Sequence, residues 1–482
     1  MDYSGIKVLI MGLGIHGGGL ESARFLLKRG AIITVTDLRD EKTLLPSIER
    51  LDAACRDLGR EPVHYCLGKH EIEDFKKADI VVKNPGVKPD SHFLKIAKRI
   101  ETDISLFLIE NHAKLFAVTG SKGKSSTASA LHCILKKAAN SFPARELQGG
   151  RAYLGGNITV SPLSFLDELT ENDYVVLELS SWQLGDLKGR KAPNTDALLK
   201  PDAAVITAIM PDHLDRYVSM EEYVDDKRNI YRGQDISCIT VAGNDEWGKS
   251  FLSQTKGRPL VYSRSILSKG ESGGWIDGDT AAARLYNWEG ITDETVCLVP
   301  PLQTPGDHQK INCLSAALAA YGYGVKAQEI CGALADFTGI EHRLELFHKA
   351  GGLRFYNDSA ATIPEAAAAC IEALSPLGNL VLVTGGTDKN LDFSPFVKVS
   401  GRAKKIILLE GSGSEKLAGL LDEAGVKYSG PFDDLEKAVR VCLDSSSEGD
   451  IVALSPGCAS FGMFLNEFDR GKKWKEAILR LT

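Results

Sequence analysis

The stretch AVTGSKGKSSTAS, residues 117–129, joins an apolar strand-like run to a helix-forming run through a glycine-rich turn. In an ordinary P-loop, four residues separate the first glycine from the Gly-Lys pair, and Ser or Thr follows. Here only two residues separate Gly120 from Gly123 and Lys124. The order of strand, glycines, lysine, hydroxyls and helix still suits phosphate, because helix N-terminal amides and an ammonium both attract anions. The stretch therefore predicts a nucleotide-binding loop in a parallel α/β sheet.

Acidic residues and a histidine follow two later strand-like runs and suggest a metal beside this loop. Glu178 ends the apolar run VVLE, where a carboxylate suits Mg²⁺ together with a hydroxyl from the loop. The segment IMPDHLDRY, residues 209–217, places His213 after another apolar run. The alternatives are an ordinary strand-end acid at Glu178 and helix N-capping by Asp212.

A second glycine motif lies near the start of the chain. Gly12, Gly14 and Gly17 follow an apolar run with the spacing G-x-G-x-x-G, and Asp37 ends the next such run. This pattern is typical of a dinucleotide fingerprint, in which glycines admit a pyrophosphate at a helix N-terminus and the acid holds a ribose hydroxyl. It predicts a ligand with pyrophosphate and ribose, such as NAD or a related nucleotide. A glycine-rich turn that merely joins strand to helix is the alternative.

Strand-like and helix-like runs alternate along the whole chain, which is typical of parallel, doubly wound sheets. We predict three α/β domains: a Rossmann-like domain at 1–112, a central P-loop ATPase-type parallel-sheet domain at 113–339, and a C-terminal Rossmann-like domain at 340–482. Ligands of open α/β sheets bind outside the carboxyl ends of the strands. Motifs at strand ends are therefore the candidates for ligand contacts.

Composition excludes several classes of protein. A net charge of -7 argues against a nucleic-acid partner, whose binding surface would be basic. The ten cysteines are scattered and form no C-x-x-C pair, as in a cytosolic protein with reduced thiols. The opening residues MDYSGIKVLIMG lack the basic region of a signal peptide, and their apolar run is too short for a membrane span. We expect a cytoplasmic monomer with no nucleic-acid or membrane partner.

A series of motifs, in one order along nearly the whole chain, resembles the Mur ligases. It comprises GSKGKSS (120–126), GGN (155–157), ELSSWQL (178–184), DHLDRY (212–217), HRLE (342–345), NDSAAT (357–362), GGTDK (385–389) and SPGCAS (455–460). In that family the shortened phosphate loop is the usual form. The resemblance implies that the first domain holds the UDP of a sugar-peptide substrate. The central domain would bind ATP and the third domain the incoming amino acid.

The implied activity is an ATP-dependent amide-bond-forming ligase of peptidoglycan precursor synthesis, with D-glutamate as the expected acceptor. A carboxylate is a poor electrophile, so the γ-phosphoryl group of ATP would first pass to the substrate carboxylate and form an acyl phosphate. The amine of the acceptor would then displace phosphate. Catalysis of this kind rests mostly on positioning and charge neutralisation. The implied cofactors are ATP and Mg²⁺ at two sites.

The resemblance also assigns roles to individual residues through the matching motifs. Catalytic roles are expected for Lys124, His213 and Lys227. ATP contacts are expected for Gly120, Ser121, Lys122, Gly123, Lys124, Ser125, Ser126, Asn312, Arg343 and Asp358. Contacts to the UDP-linked substrate are expected for Gly14, Ile15, His16, Asp37, Arg39, Asn84, Gly86, Asn157 and Ser180. The acceptor amino acid is expected at Ser359, Thr362, Lys389 and Ser460, and Mg²⁺ at Ser125, Glu178, His213 and Lys227.

Lys227 carries two different predictions. Its sequence context, EEYVDDKRN, is that of a solvated helical face on which one more charge has no special role. The resemblance instead places Lys227 where the family carries a lysine carbamylated by CO₂, whose carboxylate reaches a second Mg²⁺. An unmodified ammonium would repel the metal, so the resemblance implies the carbamate.

Four positions depart from the family pattern. Leu38 replaces a threonine, Gln309 replaces an asparagine, Ala360 replaces the lysine of N-D-S-K-A-T, and Glu467 occupies an aromatic position near the acceptor. Loss of a cation and gain of an anion leave L-glutamate open as an alternative acceptor. A folylpolyglutamate synthase-like ligase is the nearest other candidate, but it lacks the UDP-type domain. An NAD-dependent oxidoreductase rests on the first glycine motif alone.

Overall fold

A computed structural model describes residues 2–14, 17–141, 150–158, 160–192, 197–212, 216–288, 294–303, 306–389 and 391–482. Contacts divide the chain into two compact units, Met1–Pro300 with Lys310–Leu334, and Pro301–Gln309 with Ala335–Thr482. Two sheets belong to the first unit and one sheet to the second. The α/β class predicted from the sequence is confirmed, while the exact domain boundaries stay predictions.

The first sheet is parallel and open. Its strands are β1 (Lys7–Met11), β2 (Ile32–Asp37), β3 (His64–Leu67), β4 (Ile80–Lys83) and β5 (Ile100–Glu101). The helices of this segment are α1 (Gly18–Lys28), α2 (Glu41–Asp57), α3 (Ile72–Lys77) and α4 (Asp103–Glu110), with a 3-10 turn at Leu94–Ile96. Within the described residues the strand order is β3-β2-β1-β4-β5. The order reverses between β1 and β4, so a ligand crevice is expected at the carboxyl ends of these two strands.

The second sheet is larger and also belongs to the first unit. Its strands are β6 (Lys114–Thr119), β7 (Ala152–Gly156), β8 (Tyr174–Glu178), β9 (Ala203–Ile206), β10 (Ile239–Gly243), β11 (Arg258–Ser263), β12 (Gly273–Asp277), β13 (Thr280–Arg284) and β14 (Val296–Val299). Across the part of the chain that the structure covers, their order is β14-β13-β12-β11-β10-β9-β6-β8-β7. The strands from β7 to β12 run parallel, and β13 and β14 are antiparallel to their neighbours.

Helices and short 3-10 turns accompany this sheet. They are α5 (Lys124–Ser141), α6 (Ser181–Asp186), α7 (Met220–Arg228), α8 (Glu246–Gln254), α9 (Asp307–Tyr323) and α10 (Ala327–Ala335), with 3-10 turns at Pro162–Ser164 and Leu166–Glu168. The central strands are buried on both faces, as their unbroken apolar runs require. Among the described residues, no helix combines the length and apolar character that a membrane span needs.

The two sheets of the first unit share one apolar core. Phe107 on α4 and Phe165 in the 3-10 region have ring centroids 6.1 Å apart in an edge-to-face arrangement. Both belong to a single buried cluster that also contains Val8 of β1 and Val175 of β8. The two sheets are therefore fixed relative to each other by packing.

The second unit contains a mixed sheet. Its strands are β15 (Glu345–Ala350), β16 (Leu353–Asn357), β17 (Leu380–Thr384), β18 (Lys405–Leu409), β19 (Tyr428–Phe432) and β20 (Ile451–Leu454). Its helices are α11 (Pro364–Leu374), α12 (Ser394–Ser400), α13 (Ser412–Glu423), α14 (Leu435–Asp444) and α15 (Glu467–Leu481), with a 3-10 turn at Ser375–Leu377. The described strands have the order β15-β16-β20-β17-β18-β19, and only β15 is antiparallel to its neighbour.

Candidate functional site

The loop after β6 is built on two glycines that no other residue could replace without a clash. Gly120 has φ +145°, and a Cβ there would lie 1.9 Å from Thr207 Oγ1. Gly123 has φ +91°, and its Cβ would lie 2.4 Å from Asn312 Oδ1. A helix follows the glycines, as predicted from the sequence, and this helix, α5, begins at Lys124. The shortened loop is thus pressed between the end of β9 and helix α9, which explains its glycines physically.

Two lysines meet at this loop. Lys124 Nζ donates hydrogen bonds to the carbonyl oxygens of Gly120 and Ser121, both at 3.0 Å. Lys227 Nζ, on α7, donates to the same Gly120 oxygen at 2.8 Å. Lys227 is only 1% exposed, so the solvated-face interpretation of its sequence context is wrong. Burial, and then the positive charge of Lys124, lower the pKa of Lys227 to about 7.

Other loop residues serve to hold the loop in place. Ser121 is buried, and its hydroxyl lies 2.8 Å from the Tyr223 hydroxyl and donates to Met210 O at 2.9 Å. Lys122 is exposed, and its backbone N–H donates to Ala208 O. Ser125 and Ser126 lie partly exposed in the first turn of α5. Of the hydroxyls assigned to ATP, those of the helix turn are therefore the accessible ones.

A buried carboxylate lies beside the loop. Glu178 ends β8 and is in register with Val118 on β6 and Gly156 on β7. Its Oε1 accepts a hydrogen bond from Asn157 Nδ2 at 2.9 Å. Its Oε2 is buried and has no hydrogen-bond partner among the described residues. A buried carboxylate oxygen without a partner is costly, and hard oxygen ligands are those that Mg²⁺ prefers. The residues present therefore fit a divalent cation, although His213 lies outside the described residues.

The lysines face a cavity of about 460 Å³, here called the second cavity. Lys124, Lys227, Asn157 and Ser180, all predicted from the sequence, contribute to its lining. Ser180 caps α6 by accepting a hydrogen bond from Gln183 N at 3.2 Å. The remaining lining residues are Gly18, Asn84, Pro85, Gly86, Asp103, Gly156, Ser161, Ser181, Trp182, Gln183 and Tyr223.

The first glycine motif lines another cavity, of about 360 Å³, here called the first cavity. It lies at the carboxyl ends of β1 and β4, where the strand order predicts a crevice. Asp37 accepts hydrogen bonds from Gly14 N at 3.1 Å and Arg39 N at 3.0 Å, which ties the second strand end to the glycine turn. The lining comprises Met11, Gly12, Leu13, Gly14, Gly17, Gly18, Asp37, Leu38, Arg39, His70, Asn84, Gly86 and Val87. The predicted contacts Ile15 and His16 lie outside the described residues.

The two cavities adjoin each other. Gly18, Asn84 and Gly86 line both of them, and these three residues are called the shared wall below. One extended ligand can therefore lie in the first cavity and reach the lysines of the second.

In the second unit, a strained segment presents Arg343. His342 and Leu344 on either side of it have φ of +66° and +44°, a conformation that residues other than glycine rarely adopt. The buried Asp358 accepts hydrogen bonds from Leu344 N at 3.1 Å and Ser455 Oγ at 2.6 Å. Burial raises the pKa of Asp358 to about 7. Asp358 thus holds the segment that carries Arg343, and its own carboxyl oxygens are engaged inside the unit.

The residues assigned to the acceptor differ in accessibility. Lys389 is exposed and Thr362 partly exposed, whereas Ser460 is buried. Ser359 is fully buried, and its hydroxyl donates to Glu467 O at 2.7 Å and accepts from Arg470 Nε at 3.0 Å. The geometry therefore favours a positioning role for Ser359 and direct contact for the exposed residues.

Arg470 is a residue that sequence reasoning missed. Its buried guanidinium also donates to Ser359 O at 3.0 Å and to Cys458 O at 3.2 Å. It thereby joins two loops to which the acceptor is assigned. An arginine followed by glycine inside an amphipathic helix was the only sequence signal, because its partners in Ser359 and Cys458 are distant in the chain.

One further group of potential metal ligands lies in the second unit. Among the described residues, Glu341, His342 and Glu345 can each offer a ligand atom within 4.8 Å of the others. Lys475 Nζ already bonds the two carboxylates, at 3.1 Å and 2.7 Å. The Lys475 ammonium thus already supplies these carboxylates with the positive charge that a metal ion would bring.

The comparisons with known proteins agree with this geometry. The description "Mur ligase MurD-like, N-terminal domain" matches residues 6–105, "Mur ligase middle domain" matches 118–320, and "Mur ligase, glutamate ligase domain" matches 342–458. The chain belongs to the Mur ligase family, and the resemblance found in its motifs is confirmed.

Curated relatives indicate which of the Mur ligases this chain is similar to. The chain is 38% identical to the UDP-N-acetylmuramoylalanine–D-glutamate ligase of Borreliella afzelii (strain PKo), over 99% of this chain and 98% of that protein. It is 38% identical to the ligase of the same name from Treponema pallidum (strain Nichols), over 98% and 97%. The solved structure of UDP-N-acetylmuramate-alanine ligase MurC from Thermotoga maritima, 19% identical, aligns with a TM-score of 0.57 over 99% of this chain and all (100%) of that chain. That structure supports the fold.

Proposed function

We propose that this chain is an ATP-dependent ligase that joins D-glutamate to UDP-N-acetylmuramoyl-L-alanine in peptidoglycan precursor synthesis. The observation that carries the proposal is the shared wall, which connects a fingerprint cavity suited to UDP with a cavity that holds the phosphate-loop lysines. A substrate with UDP at one end and a carboxylate at the other matches this pair of cavities. The full-length relatives named above bear the same activity in their names.

The reaction follows from the groups that line the second cavity. The substrate carboxylate would enter beside Lys124, whose ammonium neutralises charge on the γ-phosphoryl group as it moves to the carboxylate. The amine of D-glutamate then attacks the acyl carbon of the acyl phosphate so formed, and the amide bond forms as the C–O bond breaks and inorganic phosphate leaves. Asn157 links the substrate cavity to Glu178 through its 2.9 Å hydrogen bond, so it can orient both the substrate and the carboxylate. The enzyme supplies mainly alignment and charge, as expected for phosphoryl transfer.

Mg²⁺ would be held by Glu178 and by Ser125, with His213 expected as a further ligand. When bound, the metal supplies positive charge to the phosphates. Support comes from the unpartnered, buried Oε2 of Glu178. We propose two metal sites, the second served by a carbamate on Lys227. The neutral form of an amine is the form that reacts with CO₂, and a buried Lys227 with a pKa of about 7 has that form available.

The acceptor is proposed to contact Thr362 and Lys389, with Ser359 and Ser460 shaping the loops around them. ATP is proposed to contact Arg343 and Asn312 in addition to the phosphate loop. The departures at Ala360 and Glu467 leave L-glutamate as the alternative acceptor, and D-glutamate is proposed because the full-length relatives carry it in their names. We also propose that the protein acts as a monomer in the cytoplasm. All ten cysteines are thiols outside any disulfide, which supports a reducing compartment.

The deciding experiment incubates the protein with UDP-N-acetylmuramoyl-L-alanine, Mg²⁺ATP and one amino acid at a time, and measures phosphate release. We expect release with D-glutamate and only background release with L-glutamate or without the UDP-linked substrate. Absence of release with every amino acid would overturn the ligase proposal. Release with L-glutamate alone would retain the ligase and change the acceptor.

A further inference from the structure

A short turn separates the two cavities. Residues 84–87, here called the dividing turn, follow β4 directly. Asn84 and Gly86 line both cavities, Pro85 lines the second, and Val87 lines the first. Any ligand that spans the two cavities must pass this turn. The position of its backbone therefore decides how the two cavities connect.

Two cations hold the backbone of the dividing turn. Lys83 Nζ donates to Val87 O at 3.1 Å and to Asn84 O at 3.5 Å. Arg216 Nη1 donates to a third carbonyl of the turn, Pro85 O, at 3.4 Å. Arg216 belongs to the segment after β9 of the second sheet, so its bond to Pro85 O joins that segment to the turn after β4 of the first sheet.

Both cations are themselves fixed. The ammonium of Lys83 forms an ion pair with Asp186 Oδ2 at 2.6 Å, and both side chains are almost fully buried. The guanidinium of Arg216 lies 4.2 Å from the ring centroid of Trp182, which lines the second cavity. Trp182 and Asp186 both lie on α6, so a single helix orients both cations.

A buried ion pair of this kind is weak evidence for stability, because the cost of removing two charges from water offsets much of their attraction. Its geometry points to a different role. We propose that Lys83, Asp186 and Arg216 are positioning residues that shape the dividing turn, so that the UDP-linked substrate can lie across both cavities. This inference rests on the proposed function, since it names the same substrate. It predicts an effect on that substrate and little effect on ATP, which the phosphate loop holds.

The test compares Lys83→Met, Asp186→Leu, the double variant K83M/D186L and Arg216→Gln. Lys28→Met is the matched control, because Lys28 also pairs across the two domains, with Asp167, but is 58% exposed and lines neither cavity. Calorimetry measures the affinity for UDP-N-acetylmuramoyl-L-alanine, kinetics give the KM for that substrate and for ATP, and thermal denaturation reports folding. Binding is measured without turnover, so it does not depend on the acceptor.

The double variant separates positioning from stability. Asp186→Leu alone leaves a buried ammonium unpaired and is expected to lower Tm, whereas K83M/D186L removes both charges and should recover Tm. The double variant still lacks the donor to Val87 O and Asn84 O. We therefore expect its Kd and KM for the UDP-linked substrate to stay about tenfold or more above wild type, with the KM for ATP within about twofold. Arg216→Gln should shift the same two quantities in the same direction.

Two outcomes would overturn the inference. A double variant that is folded and binds the UDP-linked substrate as wild type does would show that the pair serves stability alone, and the proposed function would stand. A wild-type protein that fails to bind this substrate at all would overturn the inference together with the proposed function. An equal rise in KM for Lys28→Met would also contradict it, because any interdomain pair would then have the same effect.

Discussion

Lys124 and Lys227 donate to one carbonyl oxygen, that of Gly120, which places two amines side by side at the phosphate loop. Lys124→Ala removes the cation nearest to the proposed phosphates. We expect phosphate release to fall at least about 100-fold, because charge neutralisation is the main contribution to phosphoryl transfer. Lys136→Ala, an exposed position on the same helix, is the control and should leave the rate unchanged. Comparable loss in both variants would argue against a specific role for Lys124.

Lys227 allows a chemical test of its carbamate. Lys227→Ala should remove most of the activity, since both the amine and the carbamate are lost. Small carboxylates such as acetate or formate should then restore part of the phosphate release by entering the space of the missing group. Wild-type activity of this variant without any additive would refute the carbamate. Labelling of wild type with ¹³C-bicarbonate should give a carbamate signal in ¹³C spectra, and Lys227→Ala should lack it.

Asp358 makes stability depend on pH. Burial raises its pKa to about 7, while the unfolded chain has an ordinary carboxyl pKa of about 3.9. Between these values the folded state binds a proton that the unfolded state lacks, so rising pH lowers the free energy of unfolding. Asp358→Asn does not titrate, and wild type should lose stability relative to it between about pH 5 and about pH 8. Urea unfolding at both pH values measures the difference in the free energy of unfolding between wild type and Asp358→Asn. A difference that does not change with pH would contradict a buried carboxyl group with a raised pKa.

At the scale of single residues, the sequence predicted those functional residues that lie at the carboxyl ends of strands. Glu178 and Lys124 were placed beside one another by the rule that ligands gather at carboxyl ends, and the structure puts both there. Lys227 required the family resemblance, because its local pattern is that of a solvated helix. Arg470 and Lys83 could not be found, since the partners that fix them are distant in the chain: Cys458 and Ser359 for Arg470, and Asp186 for Lys83.

Helix α15 shows how packing can reverse a helix propensity. Alanine is ordinarily favoured over glycine inside a helix by about 1 kcal/mol. A Cβ at Gly471 would lie 2.1 Å from His342 Nδ1 and 3.0 Å from Ser359 Cβ. The His342 ring is buried and bonded to Asn357 Nδ2 at 2.8 Å, so it has little freedom to move. We expect Gly471→Ala to lower the free energy of unfolding by about 1–3 kcal/mol in urea denaturation.

Gly419 in α13 is the matched control for this prediction. It is exposed and helical, and a Cβ there would meet nothing within 4 Å. Gly419→Ala should raise the free energy of unfolding by about 0.5–1 kcal/mol. Stabilisation by both substitutions would contradict the close approach of α15 to His342.

The elements themselves were predicted well where their pattern is local. Alternating apolar and amphipathic runs correctly indicated parallel sheets, and glycines marked the turns of both cavities. The antiparallel edge strands β14 and β15 were not predicted. Strand direction and order depend on which edges remain open after the parallel core forms, and a run of apolar residues carries no information about that.

At the scale of the whole molecule, both cavities are lined entirely by residues of the first unit. A fragment ending at Leu334 contains that complete unit. We expect it to fold and to bind UDP-N-acetylmuramoyl-L-alanine within about tenfold of the full chain, a difference of about 1.4 kcal/mol. It should release no phosphate with D-glutamate, since the residues assigned to the acceptor are missing. Circular dichroism measures folding, and calorimetry measures binding of the UDP-linked substrate. A folded fragment that does not bind this substrate would contradict the assignment of the cavities.

The shared wall has a consequence for chemical inhibition. A compound lying across Gly18, Asn84 and Gly86 would occupy both cavities and compete at once with the uridine end and the reactive end of the substrate. Resistance to such a compound through substitutions in the glycine turn after β1 is limited by the structure. Gly12 has φ +94°, and a Cβ there would already lie 3.0 Å from Asn84 Cβ. Substitution of Gly12, which lines the first cavity beside the wall, would therefore carry a cost in the folding of the site itself, whereas a Cβ at Gly18 would meet only an ordinary contact, at 3.9 Å.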